Sequence, residues 1–265
     1  MPKPLPSGLQ LRQARIEEVV SLANLLYLAP DDGTVYSFPH ALEQPDEMKH
    51  MNMKWLQSLF HDPTSFIRIA VVTVDGNEQI VGFTNWKKRE AEPQNPSKTR
   101  LVKLTDEVVA AENNDTASAS DSPRAPVPNK ARREAINRAR QRAPSPDETI
   151  PCYGLSGLVI HPEYQGHGIG SLLVRWGLDK AADEHIPVFI GGEARGVNFY
   201  EKALGFKRLH ATEYWLDAAG RDISREEVES GNEAWKFSNG GVSGAEVAWL
   251  PKGYILDWGG EILEG

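Results

Sequence analysis

The stretch Gln165-Gly166-His167-Gly168-Ile169-Gly170 alternates three glycines with other residues directly before an apolar run, Ser171-Leu172-Leu173-Val174. Glycine lets a backbone approach a partner closely. The first turn of a helix carries amides with no internal acceptor, and the helix dipole adds partial positive charge there. Phosphate is a natural ligand of such a helix head. Taken alone, the loop is a weak signal and could be only a turn. It is not a Walker loop, because no Gly-Lys-Ser/Thr follows. The spacing also departs from the dinucleotide fingerprint, which disfavours a dinucleotide-binding oxidoreductase. A second segment with chemistry to offer is Gly196-Val197-Asn198-Phe199-Tyr200-Glu201-Lys202-Ala203-Leu204-Gly205-Phe206. There Val197, Tyr200 and Leu204 fall on one helix face, as core residues would.

These residues need elements to hold them. Leu155, Leu158, Val159 and Ile160 read as a strand ended by His161-Pro162. Ile169, Leu172, Leu173 and Trp176 fall at i, i+3, i+4 and i+7, which predicts a helix over 168–184. Pro187 to Gly191 reads as a short buried strand, and Val197, Tyr200 and Leu204 as one face of a helix stopped by Gly205, a good C-cap. Phe206 to Leu216 and Glu246 to Leu250 complete this half as strands, with polar loop over 217–243. Upstream, Leu9 to Arg12 is a first strand and 14–28 an amphipathic helix. Residues 29–46 read as loop, followed by a helix presenting Met48, Met51, Trp55 and Leu59. Phe66 to Val74 and Gln79 to Trp86, joined by the turn Asp75-Gly76-Asn77-Glu78, form a hairpin. The order predicts an α/β (α+β) class with a mixed sheet and helices on its faces.

Between these halves, 88–150 is poor in large apolar residues. Glu107 to Glu112 could be a helical fragment. Asn129 to Arg142 (NKARREAINRARQR) favours helix but offers almost no apolar face. Such a segment is expected to be disordered or loosely helical, since it buries too little to offset its ordering entropy. Residues 1–265 thus read as one domain with an insertion. The basic run 130–142 could serve nuclear import or an acidic partner, with a solvated charged helix as the plainer alternative.

The formal net charge of -8 argues against general affinity for nucleic acid or an anionic membrane. The single cysteine, Cys152, cannot form an internal disulfide. The amino-terminal residues show no signal-peptide core, and no apolar run is long enough to span a bilayer. The expectation is a soluble cytoplasmic protein. The seven histidines show no metal-ligand spacing with Cys or carboxylates, so no metal is expected.

LVIHPEYQGHGIGSLLV resembles motif A of the GNAT acyl-CoA N-acyltransferases, with Gln165, Gly168 and Gly170 in the defining positions of Gln/Arg-x-x-Gly-x-Gly/Ala. GVNFYEKALGF resembles that family's later G-x-x-L-Y-E-K-x-G-F segment, with one extra residue before Gly-Phe. Ile80-Val81-Gly82-Phe83 resembles its I-V-G-F strand. The matches cover most of 66–86 and 152–206; the insertion and the region after about 217 have none.

The resemblance implies a GNAT fold, a mostly antiparallel sheet splayed at the acyl-CoA site, and transfer of an acetyl group from acetyl-CoA to a primary amine. The pantetheine would pair with backbone at Leu158 and Ile160. The pyrophosphate would meet the amides of Gly166, His167, Gly168, Ile169, Gly170 and Ser171, with Gln165 and Gly196 nearby. An amide near Leu158 or Val159 would face the oxyanion, and Tyr200 would serve the leaving thiolate. Many relatives carry a glutamate where this chain has Gly154. The base is then Glu193, Ser156 or Tyr153 through a water, a residue from the N-terminal half, or a water chain with no protein base. Glu193 also stands where relatives often carry Asn. Asp31, Asp32, Tyr36, Phe38 and His40 lie where relatives shape acceptor choice, and Trp86 could line the same site or sit in the core. His161 and Cys152 read as structural, and His167 matters through its backbone. A non-catalytic acyl-CoA-binding module is the alternative to an enzyme.

Overall fold

The structure is a computed structural model that describes residues 3–91, 126–142, 150–229, 240–258 and 261–265. Its main sheet has seven strands: β1 (Gln10–Gln13), β2 (Ser65–Val74), β3 (Asn77–Arg89), β4 (Cys152–Ile160), β5 (Val188–Glu193), β6 (Lys207–Leu216) and β7 (Val242–Trp249). Their order is β1-β2-β3-β4-β5-β7-β6, and only the β4–β5 pair is parallel. The long β2–β3 hairpin pairs Val74 with Asn77 across its Asp75-Gly76 turn and shifts register between Ala70 and Val71, where Val81 is the extra residue. A second hairpin, β8 (Ile255–Trp258) and β9 (Glu261–Glu264), follows the last sheet strand and packs Leu256, Trp258 and Leu263 over Phe189, Leu209 and Ala248. The sequence reading assigned no strand to this glycine-rich end.

Helices cover both faces. On one side, α1 (Val19–Leu28) and α3 (Pro45–His61) bury Leu22, Leu25, Leu56 and Leu59 against Ile69, Phe83 and Val159. On the other, α5 (Ile169–Glu184) and α6 (Ala194–Leu204) bury Val174, Leu178, Val197 and Leu204 against Trp86, Val188 and Ile190. Each fully buried side chain of this size contributes about 1.5–3 kcal/mol of transfer free energy. Trp86 is fully buried here: a Cβ on Gly177 of α5 would overlap its indole ring. Of its two possible roles, core packing is the one observed.

Four expectations are corrected. The helix over 14–28 begins as a 3-10 turn at Ile16–Glu18, where Glu18 accepts from the Arg15 amide at 2.7 Å. The loop over 29–46 contains a short helix, α2 (Asp32–Ser37), because Asp31 caps it by accepting from the Thr34 amide at 2.5 Å. The helix α4 (Lys130–Arg142) is no loose segment: Ala135, Ile136 and Ala139 are buried against Tyr36, Tyr214, Leu216 and Val242. Alanines make a narrow stripe that composition alone undervalues, but they let aromatic neighbours approach closely. Polar bonds tether the same helix, with Arg132 Nε donating to the Ala218 carbonyl at 2.6 Å and its guanidinium 5.0 Å over the Tyr36 ring. The fragment expected at Glu107 to Glu112 lies outside the described residues. Within 217–243 a short helix, α7 (Arg225–Glu229), interrupts the expected loop. Among the described residues no helix is long and apolar enough to cross a membrane.

Candidate active site

β4 and β5 pair only at Tyr153↔Val188 and Gly154↔Phe189. Beyond that point β5 stays with β7 as far as Glu193↔Gly244, so the two parallel strands part and leave an opening between 155–160 and 190–193. On its other edge β4 carries a bulge: Asn85 pairs with Gly157 and Trp86 with Leu155, which leaves Ser156 as the extra residue. Leu158 and Ile160 point to the α5 side, beside Ile169 and Leu173. Val159 is buried on the opposite side among α1 and α3, so only its backbone is available to the opening.

The glycine loop sits at the mouth of this opening. Gly166 (φ 81°) and Gly168 (φ 78°) are left-handed, and open space surrounds both, so conformation rather than room calls for glycine there. The conformation leaves donors exposed. Among the described residues none of the amides from Gly166 to Ser171 donates a hydrogen bond; the first helical bond is Leu172 to the Gly168 carbonyl at 3.2 Å. Gln165 fixes the loop to the strand end, its Nε2 donating to the Ile160 carbonyl at 3.1 Å. Its Oε1 accepts from Arg195 of α6 at 2.9 Å. His161 accepts from the Glu163 amide and acts as a local cap. The His167 imidazole is bonded to the Pro4 carbonyl.

The two candidate catalytic side chains come from the far wall. Tyr200, on α6, is 7% exposed, with its ring edge-on to Phe199 at 5.3 Å and tilted against Phe206 at 5.5 Å. Gly196 and Gly192 lie along its ring edge. Burial, and then the charge of Glu193, pushes its hydroxyl well above the ordinary tyrosine range, so it holds its proton firmly. Glu193 ends β5 and precedes α6. Burial raises its carboxyl, Asp31 adds to the rise, and Arg140 opposes it. The Glu193 Oε1 accepts from Arg140 Nη2 at 3.1 Å. The approach to α2 is tight: a Cβ on Gly33 would stand 3.0 Å from the Glu193 carboxyl carbon and closer still to Oε1.

The remaining predicted residues divide. Ser156 accepts from Asn85 Nδ2 at 2.6 Å and is exposed at the bulge. The Tyr153 hydroxyl instead donates to Glu184 at 2.9 Å, and Glu184 also pairs with Lys88 at 2.9 Å, which commits Tyr153 to a surface network. Tyr36 donates to the Asp217 carbonyl at 2.6 Å, and Phe38 lies under Arg133, so both anchor rather than line. His40 pairs with Glu43 on the surface. Asp32 is raised by burial, with Arg195 opposing. Cys152 is buried.

Sequence reasoning missed Arg140, Asn85, Arg195, Tyr214 and Glu246. A hollow beside Glu193 is lined by Arg140, Gly191, Gly192, Thr212, Tyr214 and Glu246. The Tyr214 hydroxyl faces Arg140 there, and Glu246 Oε2 is buried without a hydrogen-bond partner among the described residues. Burial raises the Glu246 carboxyl, opposed by Arg140 and Arg89. None of these residues carries a local motif; only the β5–β7 and β6–β7 registers bring them together. Among the described residues no group of three or more His, Cys, Asp or Glu is placed to hold a metal ion.

A mixed sheet whose only parallel pair splays beside an amide-rich helix head defines the GNAT fold. Residues 138–206 match the family model described as acetyltransferase (GNAT) family. The solved structures with this fold include one described as histone acetyltransferase HPA2 and related acetyltransferase from Corynebacterium glutamicum. It is 13% identical, with 92% of this chain and 97% of that chain covered and a TM-score of 0.51. An agmatine N-acetyltransferase mutant in apo form is 15% identical, with 92% and 100% covered and a TM-score of 0.50. No curated protein sequence matches the chain. The matched segment carries the loop and Tyr200.

Proposed function

We propose that the chain is an N-acetyltransferase that joins an acetyl group from acetyl-CoA to a primary amine in a ternary complex. The observation that carries this reading is the run of unpartnered amides from Gly166 to Ser171 at the mouth of the β4–β5 opening. Six backbone donors at a helix head fit a pyrophosphate, and the open edge of β4 at Leu158 and Ile160 fits an extended pantetheine. Acetyl-CoA, when bound, supplies the activated thioester.

The chain's residues then divide the work. Glu193, raised by burial, is suited to take the proton from an ammonium. The free amine nitrogen bonds to the acetyl carbon. A backbone amide near Leu158 or Val159 stabilises the oxyanion. As the carbon–sulfur bond breaks, Tyr200 donates to the thiolate. Because its hydroxyl is pushed up, Tyr200 acts first as a hydrogen-bond donor; the amine's remaining surplus proton completes the thiol. Asp31, Asp32, Glu193 and Glu246 outnumber Arg89, Arg140 and Arg195 around the opening, which favours a cationic acceptor. The agmatine N-acetyltransferase with the same fold has an amine acceptor by name.

Thiol release from acetyl-CoA across amines, polyamines, amino acids and peptides tests the reading. Tyr200→Phe is expected to slow release about 10- to 100-fold while CoA affinity changes little. A module that binds acyl-CoA without catalysis has one observation in its favour, the absence of a carboxylate at Gly154. CoA binding with no thiol release from any amine would establish it and overturn the enzyme reading.

A further inference from the structure

The helix α4 straddles residue 138, where the family match begins, and its Arg140 reaches the last residue of β5. The guanidinium arrives on a fixed support. Ala135, Ile136 and Ala139 are buried, Arg132 Nε donates to the Ala218 carbonyl, and Arg142 pairs with Asp222 at 2.7 Å. Arg138 adds a long bond to the Gly220 carbonyl at 3.4 Å. Tethered on both sides of Arg140, the helix cannot swing the side chain away without losing packing. The Arg140 side chain remains 52% exposed, whereas that of Glu193 is 14% exposed, so the cation stands at the open side of a recessed carboxylate.

The surroundings make that cation matter. Facing Glu193 from the neighbouring elements are Asp31 and Asp32 from the α1–α2 connection and α2, and Tyr200 from α6. Tyr214 of β6 and Glu246 of β7 line the adjoining hollow with Arg140. Arg195 is engaged with Gln165. Among the described residues no other basic side chain pairs with Glu193. A carboxyl recessed among acidic groups holds its proton and turns freely; one held at Oε1 by a fixed guanidinium is charged and aimed.

We propose that Arg140 is a positioning residue, delivered by the inserted helix, that keeps the Glu193 carboxylate charged and oriented at the open end of β5, so that the insertion completes the acceptor site. The catalytic part of this proposal rests on the acetyltransferase reading above; the pairing does not.

The test has two arms. In the first, the Glu193 carboxyl of the full-length protein without ligand is titrated by ¹³C NMR, its resonance identified by its loss in Glu193→Gln. Arg140→Gln should raise the midpoint by about 1 pH unit, and Arg140→Lys should restore most of the shift. Circular dichroism and thermal unfolding check that each variant is folded. In the second, kcat/KM for thiol release from acetyl-CoA with the most active amine is followed against pH. The acid limb should move up in Arg140→Gln, and in a Glu193→Gln background the same substitution should cost less than about twofold. A folded Arg140→Gln with an unmoved Glu193 midpoint overturns the pairing. A moved midpoint with an unmoved acid limb overturns the catalytic role. Absence of thiol release with every amine overturns the acetyltransferase reading, and is distinguishable because the first arm needs no turnover.

Discussion

Gly33→Ala should impair the site without replacing any reacting side chain. Gly33 is buried in α2, and its backbone is not in the left-handed region, so alanine is conformationally allowed there. The added methyl would stand 3.0 Å from the Glu193 carboxyl carbon, whereas ordinary contact begins near 3.4 Å, and its overlap with Oε1 is more severe. The carboxylate must therefore retreat by roughly 0.5–1 Å, the sub-ångström scale on which core atoms at contact distance repel. That motion stretches the 3.1 Å bond to Arg140. A displacement of this size can cost about 100-fold in rate. The stability terms nearly cancel. Alanine in a helix gains up to about 1 kcal/mol over glycine. A displaced rotamer costs about 0.5–1.5 kcal/mol and a half-exposed ion pair less than about 1 kcal/mol. Paired thiol-release kinetics and thermal unfolding separate the two effects. The expected result is a fall in kcat/KM of at least about tenfold with Tm within about 3 °C of the parent. Unchanged kinetics would refute the role of the Glu193 position. A Tm loss above about 6 °C would show that the backbone, not the carboxylate, yields.

Three further perturbations test other parts of the structure. Gly168→Ala places a Cβ at φ 78° and should weaken CoA binding about tenfold by calorimetry, since left-handed backbone costs a non-glycine residue about 1–2 kcal/mol; an unchanged affinity would count against the loop as the pyrophosphate site. Gly177→Ala drives a methyl into the Trp86 ring and should lower the urea-unfolding free energy by about 1–3 kcal/mol, with altered tryptophan fluorescence; a neutral result would mean that Trp86 can move. Burial works against the charge on Glu18, but hydrogen bonds from Arg12 and the Arg15 amide prevail and hold its carboxyl at about 2, below its ordinary 4.5. Its contribution is therefore present above the unfolded value and lost as pH falls from there toward 2. Glu18→Gln should cost about 1.5–3 kcal/mol at pH 7 and little at pH 2, and a cost that does not depend on pH would contradict the pairing.

Much of the scaffold was legible because its causes are local. Apolar spacing at Ile169, Leu173 and the residues that follow needs nothing distant to make a helix, and Gly205 takes the left-handed conformation (φ 73°) that ends α6. The Asp75-Gly76 turn sets the β2–β3 register in the same way from Val74 back to Val71, where a bulge at Val81 shifts it. Boundaries erred where a side chain redirected the backbone, as Asp31 does in starting α2.

The candidate site was legible only in part. Gln165, the glycine loop, Tyr200 and Glu193 could be named because each lies on or beside a motif carried by contiguous residues. What surrounds them is set across distance: Arg140 meets Glu193 fifty-three positions along the chain, and Asn85 meets Ser156 seventy-one away. The narrow stripe of Ala135, Ile136 and Ala139 in NKARREAINRARQR does not signal locally that it will find Tyr36, Tyr214 and Leu216. By itself the sequence determined the helices, the hairpin and the amide-rich loop, since short-range sterics and hydrogen bonding suffice for those. Tertiary structure alone decided where β4 and β5 part and which cation faces the recessed carboxylate. Those outcomes depend on how separately formed surfaces fit, and charge pairing acts through space rather than along the chain.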